Sequence, residues 1–147
     1  MGLDMYLRGE QYVSEYDHSQ QAPEGGSLRV ERPKIDGFDI CEYVLDMGQW
    51  RKFAPLHEYI VNEFADGDDS CQRIEFEPED LRKIANALRH DKLPANEDCG
   101  GFFFGSPEVW QEERTQHAWD HAQKFEKAAF WMEQKGRWRS VYYQASW

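Results

Sequence analysis

The sequence predicts an α+β fold in a single domain, a mostly antiparallel sheet packed with about three helices. Three observations predict it. The chain has 147 residues, a length that fits one domain and buries a core without disulfide or metal staples. Hydrophobic residues make up 40% and aromatics 15% of it, too many for a disordered chain. Period-two alternation marks the start, a β-prone aromatic run marks the end, and helical spacing fills the middle.

Each element follows in order. Leu3-Asp4-Met5-Tyr6-Leu7 alternates and reads as a strand, and Tyr12 and Val13 read as the start of its partner. Ser14 to Ser27 is polar, carries Pro23, Gly25 and Gly26, and reads as a long exposed loop. Leu28-Arg29-Val30-Glu31 and then Phe38 to Leu45 are strand-like. Pro55 suits a first helical turn, where its missing N–H costs nothing, and Leu56, Ile60, Val61 and Phe64 share one helix face up to Gly67. Cys71 to Phe76 reads as a strand. Glu77-Pro78-Glu79-Asp80 opens a second helix whose apolar stripe is Leu81, Ile84, Ala85 and Leu88. Pro94 to Gly101 reads as loop. Ser106-Pro107-Glu108 starts a third helix that can run to Lys135. Trp110, Phe125, Ala128 and Met132 form its stripe, while Trp119 and Phe130 point the opposite way, so this helix is either packed on two sides or left with a spare apolar surface. Trp138 to Trp147 is β-prone and aromatic, a strand expected beside the N-terminal one.

Charge narrows the function classes. Lys and Arg number 17 against 28 Asp and Glu, a formal charge of −11. That excess argues against a general nucleic-acid or anionic-membrane binder, since phosphate binding needs a cationic footprint. No apolar run approaches the roughly 20 residues of a bilayer span. Met1-Gly2-Leu3-Asp4-Met5-Tyr6 has neither the basic start of a secretory signal nor the Ser/Thr of a myristoylation site. Cys41, Cys71 and Cys99 are odd in number and far apart, and read as reduced thiols of a cytoplasm.

Four constellations are candidates for chemistry. Trp50, Arg51, Lys52 and His57 flank the Pro55 helix start, where cations and free N–H groups suit a phosphate or carboxylate; the structural alternative is a core Trp, surface ion pairs and an interior His. Phe102, Phe103 and Phe104 cannot all face one side of an extended strand, so they pack in different directions or give a small-ligand site an aromatic wall. Glu113, His117 and His121 lie along one helix face, but no HExxH pattern or further ligand accompanies them, so no metal and no cofactor is expected. Glu63, Asp66, Asp68, Asp69, Glu75, Glu77, Glu79 and Asp80 crowd one stretch around the single cation Arg73. They form either a solvated face or an acidic surface for a basic partner. Lys124, Lys127, Lys135, Arg137 and Arg139 are locally basic, which polarises the molecule. No GxSxG elbow or Cys-His signature is present.

The opening Met-Gly-Leu-Asp-Met-Tyr-Leu, the Trp50-Arg51-Lys52 segment with His57 downstream, Gly101 to Ser106 and the ending Tyr142 to Trp147 together resemble a family of small phage and prophage proteins of unknown activity. Some of those carry a phosphoglycerate kinase label, which this chain does not support: it is too short for two substrate lobes and has no phosphate loop. The resemblance implies a viral accessory role in the cytoplasm of a bacterial host cell and no reaction. The expected function is therefore a non-enzymatic accessory protein that binds a host protein complex through the eight carboxylates between Glu63 and Asp80. An anti-defence role of the anti-CRISPR type, against a nucleic-acid-handling complex, is its concrete form, with no direct nucleic-acid or membrane contact. The alternative is a nucleotide-like anionic ligand held by Arg51, Lys52, His57 and the aromatic wall.

Overall fold

Alternation at the N-terminus persists beyond the predicted strand. In the computed structural model, which describes residues 2–100, 104–134 and 138–147, β1 spans Asp4–Tyr12. Met5 and Leu7 are buried along it, as is the preceding Leu3, while Asp4, Tyr6, Arg8 and Glu10 remain partly open. Tyr12 thus ends this strand rather than opening its partner. Two short hairpins follow. β2 (Tyr16–Gln21) pairs with β3 (Ser27–Arg29), and β4 (Lys34–Ile35) pairs with β5 (Phe38–Asp39). The expected loop from Ser14 to Ser27 is therefore half strand. The run from Phe38 to Leu45 divides between β5 and a longer strand, β6 (Glu42–Arg51).

The helices begin where their signals place them. α1 (Ala54–Phe64) holds Pro55 in its first turn, and Gly67, with φ +78°, donates its N–H back to Val61 O at 3.1 Å. β7 (Ile74–Phe76) precedes α2 (Pro78–Arg89). A capping box starts α2: Glu77 accepts from the backbone of Asp80, and Asp80 Oδ2 accepts from Glu77 N at 2.8 Å. The predicted third helix is two, α3 (Pro107–Thr115) and α4 (Ala118–Met132), and β8 (Trp138–Ser146) closes the chain.

The main sheet runs β6-β1-β8-β7, antiparallel throughout, with Leu7 opposite both Gly48 and Tyr143. The two chain ends are thus central neighbours, as their patterns predicted. Leu3, Met5, Leu7, Trp50, Val141 and Tyr143 form one core with apolar residues of α1, α2 and α4. The other face stays open, as antiparallel sheets allow. It carries Tyr6, Arg8 and Glu10 beside Gln49, Asp46 and Val44 of β6 and Gln144, Tyr142 and Ser140 of β8. The Arg73 guanidinium lies 3.6 Å from the Tyr142 ring centroid on that face and shields it.

Register shifts between Leu7 and Arg8, leaving Met47 without a partner across the ladder. This bulge brings Met47 to the helix side together with Leu45 and Gly48. Met47 and Trp131 crowd over Gly9, where any Cβ would collide with the Met47 thioether. Trp119 and Phe130, on the outer side of α4, are 62% and 67% exposed, so the spare surface is real.

Candidate functional site

His57 is buried in α1 with both ring nitrogens engaged. Nε2 lies 2.9 Å from Asp69 Oδ2, and Nδ1 lies 2.7 Å from the Tyr143 hydroxyl. A carboxylate only accepts, so Nε2–H donates to Asp69, and in the neutral ring Nδ1 accepts from Tyr143. Asp69 Oδ1 takes a second bond from Trp147 Nε1 at 3.1 Å. Phe104 sets its ring at 88° to His57, with centroids 5.8 Å apart. Burial holds the Tyr143 hydroxyl pKa well above its usual value, so the group stays protonated. The relay therefore pins the Asp69 loop and Trp147 to the core, and it offers no free nitrogen to a ligand.

The rest of the predicted cationic site disperses. Trp50 stacks on Phe125 and donates from Nε1 to His121 Nδ1 at 2.9 Å. Arg51 is exposed, 3.6 Å from Asp4. Lys52, at φ +57°, is bound through its backbone: its N–H donates to Leu3 O and its C=O accepts from Trp110 Nε1. A Cβ at Gly105 would fall 2.7 Å from that same Lys52 oxygen, which explains the glycine there. Phe102 and Phe103 lie outside the described residues.

His121 is also closed. Trp50 donates to its Nδ1, so Nε2 carries the proton and donates to Glu113. Burial pushes the imidazole pKa down, outweighing the pull of Glu113. His117 faces Glu112 at 3.5 Å instead of completing a cluster. Among the described residues, no group of three or more His, Cys, Asp or Glu is placed to hold a metal ion, and no helix is long and apolar enough to cross a membrane.

The eight carboxylates divide by role. Glu63 pairs with Lys83 at 2.7 Å, Glu75 with Arg73 at 3.1 Å, and Asp69 with His57; Glu77 and Asp80 build the α2 cap. Asp66, Asp68 and Glu79 have no ion-pair partner among the described residues.

The most open part of the molecule begins in the segment from Ser14 to Ser27 that the sequence predicts as loop. From Ser14 to Cys41 the chain forms an arm in which no residue is buried. It is self-bonded: Val30 N–H donates to Glu15 O and Ile40 N–H to Pro33 O, both at 2.8 Å. Arg32 and Lys34 converge on Asp39 and hold its carboxyl pKa below the usual value. At the tip, Phe38 is 77% and Ile35 63% exposed. At the base, Tyr12, Tyr16, His18 and Trp138 line a cleft of about 620 Å³. Beside it, Tyr43, Val44 and Leu45 stand exposed in succession on β6, an outer strand of the sheet. The only sequence signal for this surface was the apolar run on β6, which reads equally well as core. No protein-family model, curated protein or solved structure matched the chain when compared with it.

Proposed function

We propose that the chain is a non-enzymatic binding protein that docks on another protein through the arm and the adjoining end of the sheet. One observation carries this reading: Ser14 to Cys41 is held in two hairpins yet has no fully buried residue, and it presents Phe38 and Ile35 to solvent. Fixing backbone costs about 1–2 kcal/mol per residue, and a lone two-stranded hairpin is marginal in water. Apolar burial normally offsets that cost, and here only a partner can supply it. Contiguous exposed apolar surface of this kind marks interaction sites.

The resemblance to phage and prophage proteins supplies the setting. The partner is then a host protein complex, and inhibition of a nucleic-acid-handling immune complex is the concrete form. Asp66, Asp68 and Glu79, which make no ion pair among the described residues, steer the approach to a basic surface, an effect on association rate more than on affinity. The other five predicted acids serve within the fold.

The test compares the wild-type chain with the Phe38→Ser, Ile35→Ser double variant, whose sites lie outside the core. Both are immobilised and exposed to bacterial lysate. A protein retained by the wild type and lost by the variant is the expected result. Identical retention by the two removes the arm from the binding surface.

A further inference from the structure

The two edges of the sheet are finished differently. β7 is three residues long and carries Glu75, a short and charged edge of the kind that resists further pairing. β6 is ten residues long, and among the described residues its outer row of N–H and C=O groups faces no strand. Between β6 and α4 lies a groove of about 470 Å³. Leu45, Met47, Ala128 and Trp131 make its apolar floor, Asp46 also lines it, and Lys124 and Lys127 stand at its side. These two lysines make no ion pair among the described residues, although the chain has eleven more acids than bases. Arg73, Arg82, Lys83, Arg89 and Arg114 all have carboxylate partners. Lys124 Nζ lies 5.6 Å from the Trp50 ring centroid, and neither lysine has a carboxylate partner among the described residues, so the pair beside this strand edge is complementary to an acidic strand.

We propose that the β6 edge accepts an extended, acid-bearing segment of the partner protein as a fifth strand, its carboxylates meeting Lys124 and Lys127 and an apolar side chain resting on Met47 and Trp131. This rests on the reading of the chain as a binding protein and names the chemistry of what it binds. The spacing is compatible. Lys124 and Lys127 are separated by roughly 4.5 Å of helix rise, and alternate residues of a strand by roughly 7 Å, a difference that two flexible lysine stems span. Main-chain hydrogen bonds supply affinity in such strand addition, and side-chain pockets supply specificity. A second copy fits poorly. Of the acids of β6 itself, Glu42 sits opposite Tyr12 on the open face, and Asp46 already lines each copy's own groove, so a symmetric β6–β6 pair offers the lysines no other carboxylate of that strand.

The experiment uses the full chain and a fluorescein-labelled eight-residue peptide of alternating Glu and Val, read by fluorescence polarisation up to about 1 mM peptide acceptor sites. Three comparisons accompany it: the same peptide with Gln for Glu, the Glu peptide N-methylated at alternate residues, and the Lys124→Gln, Lys127→Gln variant, whose fold is checked by circular dichroism. The expected result is binding of the Glu peptide, weakened about tenfold by the lysine substitutions or by Gln, and lost on N-methylation. Equal binding of Glu and Gln peptides, indifference to the lysines or to N-methylation, or no binding at all overturns the proposal. So does a wild-type dimer in sedimentation that Leu45→Lys dissolves. If the peptide fails while Phe38-dependent retention persists, only the acidic-strand assignment falls; if that retention fails too, the binding reading falls with it.

Discussion

Trp50 and His121 fix each other's state. The indole N–H has one role, donation, so a proton on His121 Nδ1 would set donor against donor at 2.9 Å. Protonation therefore has to break this bond inside a site where burial already lowers the imidazole pKa. The folded value lies below the unfolded value of about 6.5. The unfolded chain binds more protons in the interval between them, so stability rises with pH there. The contribution of His121 is complete above about pH 6.5 and declines as the pH falls toward the folded value. An NMR titration of the His121 ring is expected to give a midpoint below that of an exposed histidine, and Trp50→Phe is expected to raise it. The same substitution leaves Nδ1 without its donor and costs about 1–3 kcal/mol. A His121 midpoint at or above 6.5 in the wild type contradicts the assignment.

At the scale of elements, the break between α3 and α4 lies two residues beyond a clamp made by Arg114. Its guanidinium is buried and donates to Asp91, Asn96 and the carbonyls of Leu93 and Pro94, at 2.8–2.9 Å. α3 must lean on the 91–96 segment to place it, while α4 packs against α2 and the sheet. A single straight helix serves both only with difficulty. Arg114→Met strands two carbonyls and is expected to lower stability by about 3 kcal/mol, with Arg114→Lys intermediate because an ammonium cannot reproduce the fork. Matching urea midpoints for Met and wild type would show that the clamp adds nothing to stability. This also marks how far the sequence can be read. The strands at Leu3–Leu7 and Trp138–Trp147 and the starts of α1 and α2 were legible because alternation, β-prone composition, proline and capping are local signals. The helix break and the length of β6 past Asp46-Met47-Gly48 were not, since they depend on contacts between distant residues; in the arm, the strands at Leu28–Glu31 and from Phe38 were legible and their partners at Tyr16–Gln21 and Lys34–Ile35, which are polar or only two residues long, were not. The site residues divide the same way. Trp50 and His57 stand out by type, but their roles are set by His121 and Tyr143, 71 and 86 positions away. Those partners turn both side chains inward, away from any ligand.

At the scale of the molecule, the arm is a separable part. It contributes nothing to the core cluster, and its base is already closed, since Val13 N–H donates to Cys41 O at 2.9 Å. Beyond that bond the β1–β6 ladder begins with Tyr12 opposite Glu42. A two-residue Asn-Gly turn in place of Ser14–Ile40 suits such a pair of antiparallel ends, because its backbone twist matches that of the strands. The shorter connection also lowers the entropy cost of bringing β1 and β6 together. The shortened chain is therefore expected to fold with the same sheet, to show a urea midpoint equal to or above that of the full chain, and to lose partner retention. Its groove between β6 and α4 remains intact, so the acidic peptide is expected to bind it as before. A loss of more than about 2 kcal/mol on shortening, well beyond the ordinary effect of surface changes, would make the arm a structural member of this fold, and its exposed Phe38 and Ile35 would no longer argue for a partner.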